Sequence, residues 1–164
     1  MAEDAVDAVS EVLGIKTRCR TQSMSLHGAK GRSIRASQRD HHLDGRFGSD
    51  AADIAALIAN DPSLSEPLVD GLPYLRAEAV YAVTHEMATS IDDILSRRTR
   101  ARLLNRRASV SAARATADLV SPLLGWDDAQ CSASIAEFVD ACAREDAAAM
   151  VTEQEFIDSH KDTK

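Results

Sequence analysis

The chain has 164 residues and a formal net charge of −7, which argues against nucleic acid as a partner because affinity for phosphate rests on Lys and Arg. Apolar residues make up 45% of the sequence and aromatic residues 4%, so Ala, Leu, Val and Ile must build the core, and alanine favours helix. Seven Gly and four Pro are too few for an all-β fold, and no run approaches the roughly 18 apolar residues that a membrane-spanning helix needs.

The three cysteines, Cys19, Cys131 and Cys142, include no C-x-x-C pair, and their odd number favours reduced thiols in a cytoplasmic protein. Cys131 and Cys142 are about three helical turns apart, so both are predicted to be small core residues on one helix face. The acidic N-terminus lacks the apolar region of a signal peptide. The sequence therefore predicts a cytoplasmic location.

The first predicted helix covers 2–13, where Val6, Val9 and Leu13 recur at helical spacing and Gly14 stands at the C-terminal cap. Residues 15–48 differ, since they are rich in Ser, Thr, Arg, His and Gly and show little periodic apolar character. Long irregular segments are uncommon inside one compact domain. We expect 15–48 to be a linker between two structural units, or a strap on a partner surface.

Several helices are predicted after residue 48. Ser49 or Asp50 caps the first, Ser90 with Asp93 three residues later caps another, and Gly125 closes a third. The predicted helical segments cover about 51–59, 73–89, 90–95, 98–105, 109–124 and 127–144. The fold class is predicted to be all-α, a multi-helix bundle of five or six helices with a long irregular N-terminal connection.

The usual catalytic and cofactor motifs are incomplete or absent from the sequence. His85-Glu86 begins the H-E-x-x-H zinc signature, but position 89 is Thr, so no metal site is predicted. There is no G-x-G-x-x-G, Walker A or G-x-S-x-G sequence. Asp92 and Asp93 point in different directions on a helix, which favours helix-dipole stabilisation over acid–base catalysis. No catalytic or cofactor-binding residue is predicted in this chain.

Arginine dominates the segment 97–107. Nucleic acid binding is disfavoured, because no aromatic residue is interleaved and the whole chain is acidic. Contact with an anionic membrane or with the acidic face of a partner is a second interpretation. Internal pairing is favoured, because the guanidinium fork binds carboxylates bidentately. The predicted carboxylate partners are Glu78, Glu86, Asp92 and Asp93.

Residues 73–107 carry a family resemblance. Pro73-Tyr74-Leu75-Arg76-Ala77-Glu78, Tyr81-Ala82-Val83-Thr84-His85-Glu86-Met87, Ile91-Asp92-Asp93-Ile94-Leu95 and Arg97-Arg98-Thr99-Arg100 closely resemble the C-terminal helical domain of FAD-dependent glycerol-3-phosphate dehydrogenases. Looser resemblance covers 46–50 and 1–7. The candidate structural or interface residues on the matching positions are Glu78, Tyr81, His85, Glu86, Asp92, Asp93, Arg97, Arg98, Thr99 and Arg100.

The resemblance implies a parent enzyme that oxidises sn-glycerol 3-phosphate to dihydroxyacetone phosphate and passes the electrons to FAD and then to a quinone. It implies a cytoplasmic, peripheral membrane protein in which this chain packs against the flavin-binding domain, and a homodimer as a further assembly. Residues 1–14 are then the truncated last helix of the flavin-binding domain, 15–48 a linker or strap, 49–150 the helical cap and 151–164 a flexible tail.

The chain itself is expected to be a structural or interaction domain that contributes no catalytic residue to the parent. The alternative hypothesis is a free-standing helical interaction module. Such a module would bind an acidic protein or a membrane surface through the Arg-rich segment.

Overall fold

The computed structural model describes residues 2–15, 19–29 and 38–150. The chain divides into two compact units, Met1–Ala51 and Ala52–Lys164. Across the described ranges the regular structure is helical, and the β pairing there is one isolated antiparallel bridge between Pro67 and Leu75. The predicted all-α class is confirmed. The predicted flexible tail, 151–164, lies outside the described residues.

Most of the described helices lie in the second unit. The first unit contains α1 (Ala2–Val12) and α2 (Gln38–Phe47), and α3 (Ala51–Asn60) begins at the boundary between the units. The second unit continues with α4 (Arg76–His85), a π-helix (Asp93–Arg98), α5 (Ala101–Leu104), α6 (Arg106–Leu124) and α7 (Asp128–Ala149). Short 3₁₀ turns lie at Thr21–Ser23, Gly48–Asp50 and Pro62–Ser65. None of the helices in the described ranges is long and apolar enough to cross a membrane.

The predicted irregular connection over 15–48 is wrong for Gln38–Phe47, because these ten residues form α2. Leu43 and Phe47 stand one helical turn apart and are both buried. Two apolar residues in a polar decapeptide are too few to reveal a helix by periodicity, but their burial stabilises one. The other described residues of this connection form irregular chain, the turn Thr21–Ser23 and, at Gly48, the start of the turn Gly48–Asp50.

Two glycines make a close backbone contact inside the first unit. Gly28 and Gly48 both have positive φ, +74° and +57°. A Cβ added at Gly48 would overlap the carbonyl oxygen of Gly28, and one added at Gly28 would lie 2.6 Å from the carbonyl oxygen of Phe47. Glycine is therefore required at both positions, for its left-handed conformation and for the missing side chain.

The core of the second unit is built mainly from small and branched side chains of α4, the π-helix, α6 and α7. Ile91, Ile94, Leu95 and Phe138 are fully buried, together with alanines from α4 and α6. Cys131 and Cys142 belong to the same cluster as free thiols, as their spacing on α7 predicts. Alanines at the contacts let helices pack closely, and the core needs few aromatic rings.

α4 is shorter than the predicted helix over 73–89. It begins only at Arg76, and its end is set by Met87, which takes the left-handed conformation with φ +58°. The N–H of Ala88 then bonds to the carbonyl of Ala82 at 2.9 Å. The same carbonyl also accepts the N–H of Glu86 at 3.2 Å, so both bonds at the end of α4 meet on Ala82. Glycine usually occupies the left-handed position, so a methionine there gives no signal in the sequence.

Candidate interaction site

Three of the candidate residues, Glu78, Tyr81 and His85, follow one another along α4. Glu78 is 2% exposed, and its carboxylate accepts the N–H of Leu75 at 2.9 Å, which satisfies a donor at the start of the helix. Tyr81 is buried and its ring stacks on the imidazole of His85 with 4.4 Å between centroids. His85 itself is exposed, with Nδ1 2.7 Å from the hydroxyl of Thr84. Of these three side chains, His85 is the one available to a partner.

Arg98 and Thr99 close the two ends of the loop between α4 and α5. Arg98 donates through Nε and Nη2 to the carbonyl of Glu86, at 3.1 and 2.7 Å, and lies 3.7 Å from its carboxylate. Thr99 is fully buried, and its hydroxyl and N–H both donate to the carbonyl of Ile94, at 2.8 and 2.9 Å. Carbonyls at helix ends lack partners within the helix, so these contacts fix where α4 and the π-helix stop.

Asp93 holds the turn that precedes the π-helix. Its carboxylate accepts the N–H of Thr89 at 3.0 Å and the guanidinium of Arg97 at 2.6 Å, and Ser90 caps the N–H of Asp93 as predicted. Partial burial alone would raise the pKa of Asp93, but the hydrogen bonds from Thr89 and Arg97 outweigh it and lower the pKa to about 2. The same contact raises the pKa of Arg97.

We expect Asp93→Asn to lower the stability of the chain at pH 7 by about 2 kcal/mol, from the gap between the ordinary pKa and about 2. Because the folded-state pKa is depressed, this stabilisation is complete above the unfolded pKa, near 4, and is lost as the pH falls towards about 2. Urea midpoints at pH 7, 4 and 2 measure it. A difference in urea midpoint between wild type and variant that stays the same at pH 2 would contradict this role of Asp93.

Asp118→Asn is the matched control for Asp93→Asn. Asp118 pairs with Arg114 four residues earlier, at 2.9 Å, but both side chains are more than half exposed. Exposed pairs of this kind contribute little to stability. The control variant is expected to keep the wild-type midpoint at all three pH values.

Beyond Asp93, a chain of ion pairs joins the π-helix, α5, α6 and α7; we call it the arginine ladder. Asp92 pairs with Arg97 at 3.0 Å and with Arg102 at 2.8 Å. Arg102 also pairs with Glu145, which pairs in turn with Arg106 at 3.0 Å. Arg106 ends the ladder on Asp146. Elements about 40 residues apart in the sequence are thereby held together.

The ladder explains why α7 continues past residue 144, where the sequence predicted its end. Glu145 and Asp146 are held by arginines of α5 and α6, so the last turns of α7 are anchored. The internal pairing predicted for the Arg-rich segment is observed with Asp92, Asp93 and Glu86. Glu145 and Asp146 were missed as partners. Carboxylates near a helix C-terminus oppose its dipole, and that is a sequence signal for cations nearby.

The Arg-rich segment is not one continuous basic surface. Its residues, 97–107, contain six arginines and no Asp or Glu. Four of the six form ion pairs, namely Arg97, Arg98, Arg102 and Arg106. Arg100 and Arg107 are exposed and have no acidic partner in the part of the chain that the structure describes. Pairing thus reduces the free positive charge to these two side chains.

A cavity of about 330 Å³ lies at the turn between α6 and α7, beside Trp126. Arg114 and Asp118 line it but pair with each other, and Asp127 caps α7 by accepting the N–H of Gln130 at 2.8 Å. In the described ranges no group of three His, Cys, Asp or Glu could hold a metal ion. Of these polar groups, Asp127 holds the helix start and Arg114 and Asp118 pair within α6.

Comparison with known proteins identifies relatives. The family model of the C-terminal domain of alpha-glycerophosphate oxidase matches residues 19–131. Glycerol-3-phosphate dehydrogenase 2 of Mycobacterium tuberculosis (strain ATCC 25618 / H37Rv) is 34% identical over 153 residues, which are 85% of this chain and 26% of that protein. Glycerol-3-phosphate dehydrogenase of Mycobacterium leprae (strain TN) is 37% identical over 140 residues, 77% of this chain and 24% of that protein.

A more distant relative, glycerol-3-phosphate dehydrogenase of Synechocystis sp. (strain ATCC 27184 / PCC 6803 / Kazusa), is 33% identical over 97 residues, 59% of this chain and 18% of that protein. No solved structure matches the chain. The chain spans about a quarter of the length of the two mycobacterial relatives.

Proposed function

The chain belongs to the family of the C-terminal domain of alpha-glycerophosphate oxidase, and from this premise we propose that it is the helical cap of an FAD-dependent glycerol-3-phosphate dehydrogenase. The family match over residues 19–131 carries the proposal. The names of the mycobacterial relatives support the assignment to a dehydrogenase rather than an oxidase. The parent then removes a hydride and a proton from the secondary alcohol of glycerol 3-phosphate and forms dihydroxyacetone phosphate.

In such a parent, FAD would supply the hydride acceptor and a quinone would be the final electron acceptor. The described residues of this chain do not fit a dinucleotide site, because they contain no strand–turn–helix unit. The two glycines that meet, Gly28 and Gly48, leave no cradle, since their backbones already fill the space. We therefore propose that FAD binds in the flavin-binding domain of the parent and that this chain takes no part in the chemical steps.

The contacts of the family motif support an architectural role. Glu78 caps the start of α4, Arg98 closes its end, Thr99 ends the π-helix, and Asp93 holds the turn before it. These side chains bond to the backbone at helix ends and fix its course. His85 and Arg100 remain exposed and can contact another domain. The motif thus builds the shape of the cap that faces the flavin-binding domain.

Glycerol-3-phosphate-dependent dye reduction tests the proposal. The flavin-binding part of the parent is assayed alone and with this chain added, with the intact parent as reference and a Phe138→Ala chain as folding-defective control. We expect activity or flavin retention of the flavin-binding part to rise when the wild-type chain is added, and not when the Phe138→Ala chain is added. Equal activity without the chain, or stoichiometric flavin on the purified chain itself, would refute the cap.

Location and assembly belong to the same proposal. The parent is proposed to be a cytoplasmic, peripheral membrane protein and a homodimer, in which this chain packs on the flavin-binding domain. The pairing of four of the six arginines of the Arg-rich segment favours this cap over a free-standing basic module. Light scattering and membrane flotation of the intact parent measure the dimer and the membrane contact, respectively.

A further inference from the structure

α5 exposes two adjacent leucines at a corner of the second unit. Leu103 is 80% and Leu104 60% exposed, whereas most branched apolar side chains of the second unit lie in or against a common core. The corner is tight, because Arg100 before α5 is left-handed (φ +58°) and Asn105 after it leaves the helical conformation (φ −151°, ψ +85°). Apolar side chains held at such a corner are available to a partner.

Two arginines without an acidic partner in the part of the chain that the structure describes, Arg100 and Arg107, flank these leucines in the sequence. The arginines between these two, Arg102 and Arg106, are turned into the arginine ladder. We define the α5 surface as Arg100, Leu103, Leu104 and Arg107. It fits a partner with a small apolar contact bordered by carboxylates.

The size of the α5 surface decides between kinds of partner. Two leucines and two arginines offer far less than the roughly 800 Å² per side that a stable complex of separate proteins needs. A partner in the same polypeptide needs less, because the linkage supplies an effective concentration on the order of millimolar. The chain spans 26% of the length of its Mycobacterium tuberculosis relative, so such an enzyme holds a large tethered remainder.

We propose that the α5 surface is the docking site for the flavin-binding part of the same enzyme. That part covers Leu103 and Leu104 and presents carboxylates to Arg100 and Arg107. This inference rests on the proposed function, since it requires a parent with a flavin-binding part. It adds the contact residues and the sign of charge on the other side.

Amide hydrogen exchange in the intact parent, compared with the 164-residue chain alone, tests the docking. The amides of Leu103, Leu104 and Asn105 bond only within the corner, to Arg100 and Ala101, so covering them should slow their exchange at least tenfold. Equal exchange in both proteins would overturn the proposal. Equal exchange with protection appearing only on anionic lipid vesicles would overturn it too, and would assign the surface to a membrane.

Variants of the intact parent separate the two halves of the surface. Leu103→Ser with Leu104→Ser should abolish the tenfold protection, and Arg100→Gln with Arg107→Gln should make it salt-independent and weaker. Met150→Ser and Arg144→Gln, an exposed methionine and an exposed arginine of the α7 end, are the controls and should keep it. Controls as damaging as the α5 variants would refute the site.

Dye reduction by the same unsubstituted parent reports on the proposed function separately. An active parent with unprotected 103–105 amides keeps the function and overturns the docking. An inactive, flavin-free parent with protected amides overturns the function.

Discussion

Replacing Phe138 with alanine is expected to lower the free energy of unfolding by about 3–5 kcal/mol. Phe138 is fully buried on α7, in the same core cluster as Ala113 and Ala117 of α6. Those short side chains cannot move in to fill the space that the ring leaves. The ring also lies under the guanidinium of Arg102, with Cζ 5.9 Å from its centroid, so a cation–π contact is lost as well.

Urea unfolding followed by circular dichroism measures the loss, and the thermal midpoint should fall by about 6–20 °C. Phe138→Leu is the control, since it keeps most of the apolar volume and is expected to cost no more than about 1.5 kcal/mol. Alanine and leucine variants with the same midpoint would contradict the argument. That result would mean that α7 is not anchored through this ring.

Arg102→Met is expected to destabilise the chain by about 2–3 kcal/mol. The Arg102 side chain is 13% exposed and pairs with Asp92 and Glu145, which are 24% and 50% exposed. Methionine keeps the apolar stem but leaves the partly buried carboxylate of Asp92 with one cation fewer. The expected loss of stability is smaller than for breaking a fully buried ion pair, because water reaches both carboxylates.

A double-mutant cycle with Asp92→Asn isolates the pair, and a coupling free energy of about 1 kcal/mol is expected. Arg100→Met is the matched control two residues earlier, on an exposed arginine without an acidic partner in the described ranges. It should leave the urea midpoint of the chain nearly unchanged. Additive effects of Arg102→Met and Asp92→Asn would show that the contact does not stabilise the fold.

The helices that the sequence predicts well are those with an apolar stripe and a conventional end. α6 closes on Gly125 in the left-handed conformation, and α7 starts with Asp127 as its cap. Both signals are local, so they can be read without knowing the neighbours. The same holds for the burial of Phe138 and Cys142, which are one turn apart on α7.

The features that cannot be predicted from the sequence depend on contacts between distant residues, or on a residue type that is rare at a common structural position. The end of α4 rests on the left-handed Met87, and the extension of α7 rests on partners about 40 residues away. Of the carboxylates predicted to pair with the Arg-rich segment, Glu78 instead turns back to the N–H of Leu75. Which carboxylate a guanidinium chooses is decided by tertiary packing, which local patterns do not contain.

The π-helix has a consequence for how the length of this chain can change during evolution. Its last bond runs from the N–H of Thr99 to the carbonyl of Ile94, five residues back, so the turn holds one residue more than an α-helical turn. Loss of one codon within 93–98 would return this turn to ordinary α-helix without rotating α5 and α6 out of register. Elsewhere in an α-helix the same deletion turns all later side chains by about 100°. The segment is therefore a helical position at which one residue can be lost while the packing of the flanking helices is kept.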